Sequence, residues 1–255
     1  MEISVVIPVR NEAGNIMPLL LEISKALRGI SYEVIFVDDS TDETPDVIQK
    51  AVLQSAAPIT LEHREGQSGL SSAVIRGFSL AKGEFVAVMD ADLQHPPSVL
   101  RSMYCAMLEG ADMCIPSRFI PGGKDGGLKG LRGLISATAR WMGKLIVKKL
   151  RPLSDPTSGL FMVRRKLLLG ADLRPIGWKI MAEVTAVCPC YHIIEIPYAF
   201  QSRNSGKSKI SMKVTMQYIK QLFSLVFRQQ NEKRVSVNHW TTDRVDYCLE
   251  ELEHE

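Results

Sequence analysis

Glu84-Phe-Val-Ala-Val-Met-Asp90-Ala-Asp92-Leu-Gln94-His-Pro-Pro97 is an apolar run that ends in two carboxylates and an amide. Read as extended backbone, residues two apart share a face, so Asp90, Asp92 and Gln94 project to one side. Three oxygen donors there suit a hard divalent cation such as Mg2+ or Mn2+. A cation held by few protein oxygens keeps positions for the phosphate oxygens of a nucleotide diphosphate. The plainer reading is a strand followed by a solvated acidic turn, because Asp-x-Asp alone is a short motif.

Working outward, strand and helix patterns alternate. Residues 3–7 form an apolar run stopped by Pro8. Residues 14–28 carry helical periodicity, with Ile16, Leu19, Leu20, Ile23 and Leu27 on one face. A second apolar run, 33–37, stops at Asp38-Asp39. Thr44-Pro45 reads as a helix N-cap with proline at the first position. A short strand over 59–61 and a helix over 71–81 lead into the opening stretch. Repeated strand–helix–strand units predict an α/β fold: a mostly parallel, twisted sheet with helices on both faces. Such sheets bind ligands beyond the carboxyl ends of their strands. Three polar clusters, Pro8–Glu12, Asp38-Asp39 and Asp90–Asp92, therefore share one rim. Acidic helix caps explain three such clusters poorly. The first strand is not followed by G-x-G-x-x-G, and no P-loop is present, which excludes the common dinucleotide and NTPase readings.

The second half adds cations. The segment 121–127 is glycine-rich and reads as a loop. In the helix predicted from Leu131, Arg132, Ser136, Arg140 and Lys144 recur every four residues as a stripe. A solvated basic face is the default account, but beside a phosphate site arginine forks bind phosphate oxygens. The opposite side of that helix, with Leu134, Ile135, Trp141 and Leu145, reads as apolar. Arg203, Lys207 and Lys209 lie in a polar loop containing Gly206, a candidate lid over a diphosphate. Residues 210–227 form an apolar helix with Met212, Met216, Ile219, Phe223 and Val226 on one face. It reads as either a core helix or one lying on anionic lipid.

The 255-residue length, 45% hydrophobic and 23% charged composition fit one large α/β domain with an appendage. We divide it as a catalytic domain over 1–209, an amphipathic helix over 210–228, and a polar acidic tail over 229–255, loosely docked at most. A net charge of +3 is too small to imply a nucleic-acid partner. Five cysteines, an odd number, read as buried thiols rather than a disulfide framework. No leader opens the sequence and no window approaches the ~20 apolar residues that span a bilayer. The expectation is a protein that lies on a membrane rather than crossing it.

Several segments together carry a resemblance: Val6-Ile-Pro8 with Asn11-Glu12, Val37-Asp-Asp39, Gly69–Gly77, Met89–Pro97, Ser117-Arg118 with Gly122-Gly123, Asp155-Pro-Thr-Ser-Gly159, Pro175–Ile180 and Gly206-Lys-Ser-Lys209. The chain resembles family 2 glycosyltransferases of the GT-A fold and, within them, the dolichol-phosphate mannose synthases. The resemblance implies transfer of mannose from GDP-mannose to a dolichyl or polyprenyl phosphate at the cytosolic membrane face. It implies Asp90, Asp92 and Gln94 as metal ligands. Pro8, Val9, Arg10, Glu12, Val37, Asp39 and Ala91 would line the nucleotide pocket, and Arg203 and Lys209 would close over the diphosphate. Arg118, Arg132 and Ser136 would grip the acceptor phosphate. Asp92, Arg118 and Arg132 are the residues expected to carry catalysis. Many family members have Tyr where this chain has Arg10. Some also carry transmembrane helices, so attachment through an amphipathic helix or small membrane-anchoring subunits is implied here. Another donor, such as UDP-glucose or UDP-GlcNAc, is the nearest competing reading. A catalytically silent lipid-surface or sugar-nucleotide-binding scaffold is the competitor of another class.

Overall fold

The structure is a computed structural model. It describes residues 1–125, 131–174, 176–201, 212–228 and 234–254, without the side chains of 131–136, 212–215 and 254. The first half runs β1 (Ile3–Val9), α1 (Ala13–Ala26), β2 (Tyr32–Asp38), α2 (Thr44–Gln54), β3 (Ile59–His63), α3 (Leu70–Leu80), β4 (Phe85–Val88) and α4 (Val99–Leu108). The second runs β5 (Met113–Ser117), α5 (Leu131–Ile146), a 3-10 turn (Lys148–Leu150), β6 (Phe161–Arg164), α6 (Arg165–Leu168), α7 (Ile180–Val187), β7 (His192–Pro197), α8 (Met212–Arg228), β8 (Ser236–His239) and α9 (Thr242–His254).

The eight strands form one sheet in the order β3-β2-β1-β4-β6-β5-β7-β8. All neighbours are parallel except where β6 pairs with β4 and β5. The mostly parallel α/β architecture expected from the strand–helix alternation is therefore observed. Alternate side chains feed two cores. Val5, Ile7 and Val9 of β1 join α1, α4 and α9 on one face, and Val6 joins α3, α7 and α8 on the other. The same alternation separates Phe36 from Ile35 and Val37 on β2. Strands covered on both faces read as continuous apolar runs, as these do. The chain leaves β1 toward β2 and β3, then returns to β4 on its other side. That reversal places the ligand crevice between the ends of β1 and β4.

Two local expectations change, and the packing of two helix faces is resolved. Thr44 is the first residue of α2 rather than its cap, which is Glu43. Its hydroxyl donates to Asp42 at 2.5 Å and accepts from the Glu12 amide at 3.1 Å, tying α2 to the β1 loop. On α5 the inward residues are Ala139, Met142 and Ile146, while Trp141 and Leu145 are 72% and 62% exposed. On α8 the buried face is Tyr218, Leu222 and Leu225, and Met216, Phe223, Val226 and Phe227 are exposed. Of the apolar face read from sequence, Met216, Phe223 and Val226 lie outside, so that face is not the one that packs on the sheet. Finally, the acidic C-terminal segment is not loosely docked. β8 extends the sheet, and α9 packs Val245, Leu249 and Leu252 into the first core. All five cysteines are free and buried.

Candidate active site

The extended arrangement expected for Asp90, Asp92 and Gln94 does not form. β4 ends at Val88, and the chain turns through Asp90–Gln94 with Leu93 at φ +59°. Asp90 lines the cavity beyond the β4 end, and Asp92 and Gln94 follow it in a turn instead of a pleat. Asp92 Oδ1 accepts from the Gln94 amide at 3.1 Å, and Gln94 Nε2 lies 3.4 Å from the Gln201 carbonyl. Gly159 backs Asp90 so closely that a Cβ there would lie 3.0 Å from Asp90 Oδ2. No group of three acidic, His or Cys side chains forms among the described residues. The donor set is two carboxylates and an amide, all hard oxygens, which fits Mg2+ or Mn2+ completed by water and phosphate rather than a closed protein cage.

Across from Asp90 sits a cationic group. A cavity of about 140 Å³ is lined by Asp90, His95, Arg118, Thr157, Trp178 and Lys179, among others. Ligand pockets for whole small molecules measure roughly 300–1,000 Å³, so this cavity by itself is smaller than one for a whole small molecule. Arg118 donates to Asp155 Oδ2 from Nη2 at 2.9 Å and from Nε at 3.3 Å. Asp155 is fully buried, and its other oxygen accepts from Thr157 N and Oγ1 at 3.2 and 2.9 Å. The Arg118 guanidinium also lies 4.8 Å from the Phe200 ring and 5.1 Å from the Phe119 ring. Arg140, from the predicted stripe, covers the same Phe119 ring at 3.6 Å.

Lys179 completes the cluster. Its ammonium donates to the Thr157 carbonyl at 2.6 Å and lies 4.6 Å from the Trp178 ring. Burial pushes its pKa down, against the pull of Asp155 and Asp90. His95 is buried, 3.2 Å from the Tyr198 hydroxyl and 3.9 Å from Asp90 Oδ2. Burial lowers its pKa to about 4, so its imidazole is neutral and weakly basic at pH 7. Packed between Tyr198 and Phe200, it holds the wall of the cavity.

The rim at the ends of β1, β2 and β3 is tied together by its own side chains. Asp39 is taken up by Arg64, from Nε at 2.8 Å and Nη2 at 2.6 Å, and by the Gly69 amide at 3.1 Å. Asn11, at φ +57°, donates its amide to Ser40 Oγ at 2.8 Å and accepts from the Thr41 amide at 2.9 Å. Glu12 accepts from Asn15 Nδ2 at 2.6 Å. Val9, Val37 and Ala91 are buried, Pro8 is half-buried and Arg10 is exposed. These residues converge on the β1–β2–β4 rim.

Arg132 and Ser136 lie on α5, but their side chains are outside the described residues, as are Arg203 and Lys209 entirely. Three participants had no assigned role in the sequence reading: Asp155, Lys179 and Arg64. For Lys179 the available signal was a lone cation after Trp178 at a helix start. Asp155 opens a Pro-Thr-Ser turn, which disguises a buried acid as turn chemistry.

A sequence model for the family described as Glycosyl transferase family 2 matches residues 4–169. The chain is 40% identical to a dolichol-phosphate mannosyltransferase of Pyrococcus furiosus over 89% of its own length and 64% of that protein. It thus spans less than two thirds of that relative. A dolichol-phosphate mannosyltransferase of Saccharomyces cerevisiae is 36% identical, over 88% of this chain and 86% of that one. Among solved structures, glucosyl-3-phosphoglycerate synthase from Mycobacterium tuberculosis, in complex with Mn2+, UDP and glucosyl-3-phosphoglycerate, shares the fold. Its TM-score is 0.65 at 20% identity, covering 91% of this chain and 81% of that one.

Proposed function

The chain belongs to glycosyl transferase family 2, and from that premise we propose that it transfers mannose from GDP-mannose to a dolichyl or other polyprenyl phosphate. The observation that carries this reading is the buried Arg118–Asp155 pair with Lys179, facing Asp90 across one small cavity. One carboxylate and two cations lining the same cavity suit a reaction between two phosphorylated partners. The relatives named dolichol-phosphate mannosyltransferase support the choice of sugar and lipid.

In this reading the acceptor phosphate is already an anion near neutral pH, so transfer requires no general base. The neutral, weakly basic His95 is consistent with that. An acceptor phosphate oxygen attacks the anomeric carbon as the bond to the GDP oxygen breaks, and the electron pair leaves with GDP, inverting the centre. Arg118 and Arg132 hold the attacking phosphate, with Ser136 as a further donor. Orientation of this kind removes much of the entropic barrier. Asp90, Asp92 and Gln94 would hold Mg2+ or Mn2+, which supplies Lewis-acid neutralisation of the diphosphate. Arg203 and Lys209 offset the charge that gathers on the leaving group. Pro8, Val9, Arg10, Glu12, Val37, Asp39 and Ala91 form the nucleotide pocket.

The protein works on the cytosolic face of a membrane. Among the described residues no helix is long and apolar enough to cross one. The outward Trp141, Leu145, Phe223 and Phe227 of α5 and α8 support contact with lipid instead.

The test is a panel of GDP-mannose, UDP-glucose and UDP-GlcNAc with Mn2+ and one polyprenyl phosphate, followed by product analysis. Mannosyl-lipid formation from GDP-mannose is expected. Transfer from a UDP-sugar alone replaces the donor, and no transfer from any of them returns the protein to the scaffold reading.

A further inference from the structure

The C-terminal segment reaches the back of the candidate acceptor site. β8 lies beside β7 with His239 opposite Glu195, and His239 Nε2 is 2.9 Å from Glu195 Oε2. Glu195 is fully buried, whereas His239 is 46% exposed. The two oxygens of this carboxylate accept from the Ser154 amide at 2.9 and 3.1 Å. Burial pushes the Glu195 carboxyl above its usual range, and hydrogen bonds from Ser154, the electrostatic pull of His239 and a hydrogen bond from the Asp155 amide act against that. A buried carboxylate in this position anchors the backbone of residues 154–155.

That anchor leads directly to the cavity. Asp155 holds the Arg118 guanidinium, and Ser154 Oγ hydrogen-bonds Ser117 Oγ, the residue before Arg118. Arg118 is therefore fixed from its side chain and from its backbone by one turn, and that turn hangs on Glu195. The same C-terminal segment also meets the loop after β5. A Cβ on Gly122 would lie 2.6 Å from Thr242 Oγ1, at the first residue of α9. The Trp240 amide donates to the Glu195 carbonyl at 2.9 Å.

We infer that Glu195 and His239 are positioning residues for Arg118, which makes the β8–α9 segment part of the support of the acceptor site. The inference rests on Arg118 gripping the acceptor phosphate. A carboxylate needed only for folding would lower the active fraction and leave both Michaelis constants alone. A positioning carboxylate moves one of them.

The experiment is steady-state kinetics of the full chain with GDP-mannose, Mn2+ and a polyprenyl phosphate, varying donor and acceptor separately. His239→Ala, at a partly exposed position, is expected to raise the acceptor KM by about 2–10-fold, the equivalent of one net hydrogen bond, with the donor KM unchanged. Glu195→Ala should raise it further. Glu195→Gln, which keeps a carbonyl oxygen for the Ser154 amide, should recover most of that loss. Arg118→Ala is measured in parallel. If Arg118→Ala raises the acceptor KM while His239→Ala and both Glu195 variants leave it unchanged, the positioning role is overturned. An Arg118→Ala enzyme with an unchanged acceptor KM overturns the acceptor assignment of Arg118, and the positioning role with it.

Discussion

The two sides of the crevice treat their charges differently. On the β1–β2–β3 side the charges close on one another: Asp39 in the fork of Arg64, and Asp38 between Ser40 and His63, with His63 Nδ1 at 2.6 Å. Loop backbone joins the strands there through Asn11, Ser40 and Thr41. On the β4–β5 side, Arg118, Lys179 and Asp90 line a cavity, and the helices beside it hold aromatic side chains in water. A site closed on itself is arranged before its ligand arrives, which suits a nucleotide of fixed shape. A cavity lined by cations and flanked by exposed apolar side chains is completed by what docks on it. A lipid phosphate at a membrane surface brings both the anion and the apolar phase.

The strongest way to break this comparison is to remove the feature both sides share. Asp92→Ala is expected to lower kcat/KM by at least about 10²–10³-fold, without loss of fold in circular dichroism. Treatment with a chelator should do the same to the unaltered protein, and added Mn2+ should restore it. An Asp92→Ala protein with near-normal turnover would remove the metal from the Asp90–Gln94 turn.

The outward aromatics sharpen the contrast at intermediate size. Phe227 is 88% exposed and Trp141 72%. Moving such a side chain from water into an apolar phase is worth about 1.5–3 kcal/mol. Trp141→Ser with Phe227→Ser should therefore strip the protein from anionic vesicles in a flotation assay. Surface changes of this kind alter stability by only about 0.5 kcal/mol, so the melting temperature should hold. Retained flotation with a lowered melting temperature would mean that these residues pack inward, and the acceptor side would lose its surface.

What could be read from sequence follows the range of the interactions. The strand ends were legible because an apolar run stopped by Asp38 or Asp90 is a local pattern. The Asp90–Gln94 geometry was not, because an unbroken pleat was assumed through Leu93, which adopts a left-handed conformation. Which face of α5 and of α8 turns inward is open in the sequence for another reason: both helices carry two apolar stripes, and only tertiary packing selects between them. α9 was hidden by its acidic composition, although Val245, Cys248, Leu249 and Leu252 keep helical spacing. Asp155 lies 37 residues from the arginine it holds, and nothing local announces that pairing.

The smallest expected effect concerns Arg10, at the β1 rim proposed to hold the nucleotide. It is exposed at the end of β1, and the left-handed Asn11 beside it is tied to Ser40 and Thr41. Its backbone is thus fixed while its side chain extends from the rim. A guanidinium laid on an aromatic face at an exposed site contributes about 0.5–1 kcal/mol, a factor of roughly 2–5 in affinity. Arg10→Tyr keeps a flat surface and removes the charge. The KM for GDP-mannose should therefore change by less than about fivefold, with kcat and the acceptor KM untouched. A loss of 100-fold or more would mean that Arg10 neutralises the diphosphate itself. The nucleotide side would then share the acceptor side's dependence on an incoming anion, and the distinction between a closed and an open half would fall.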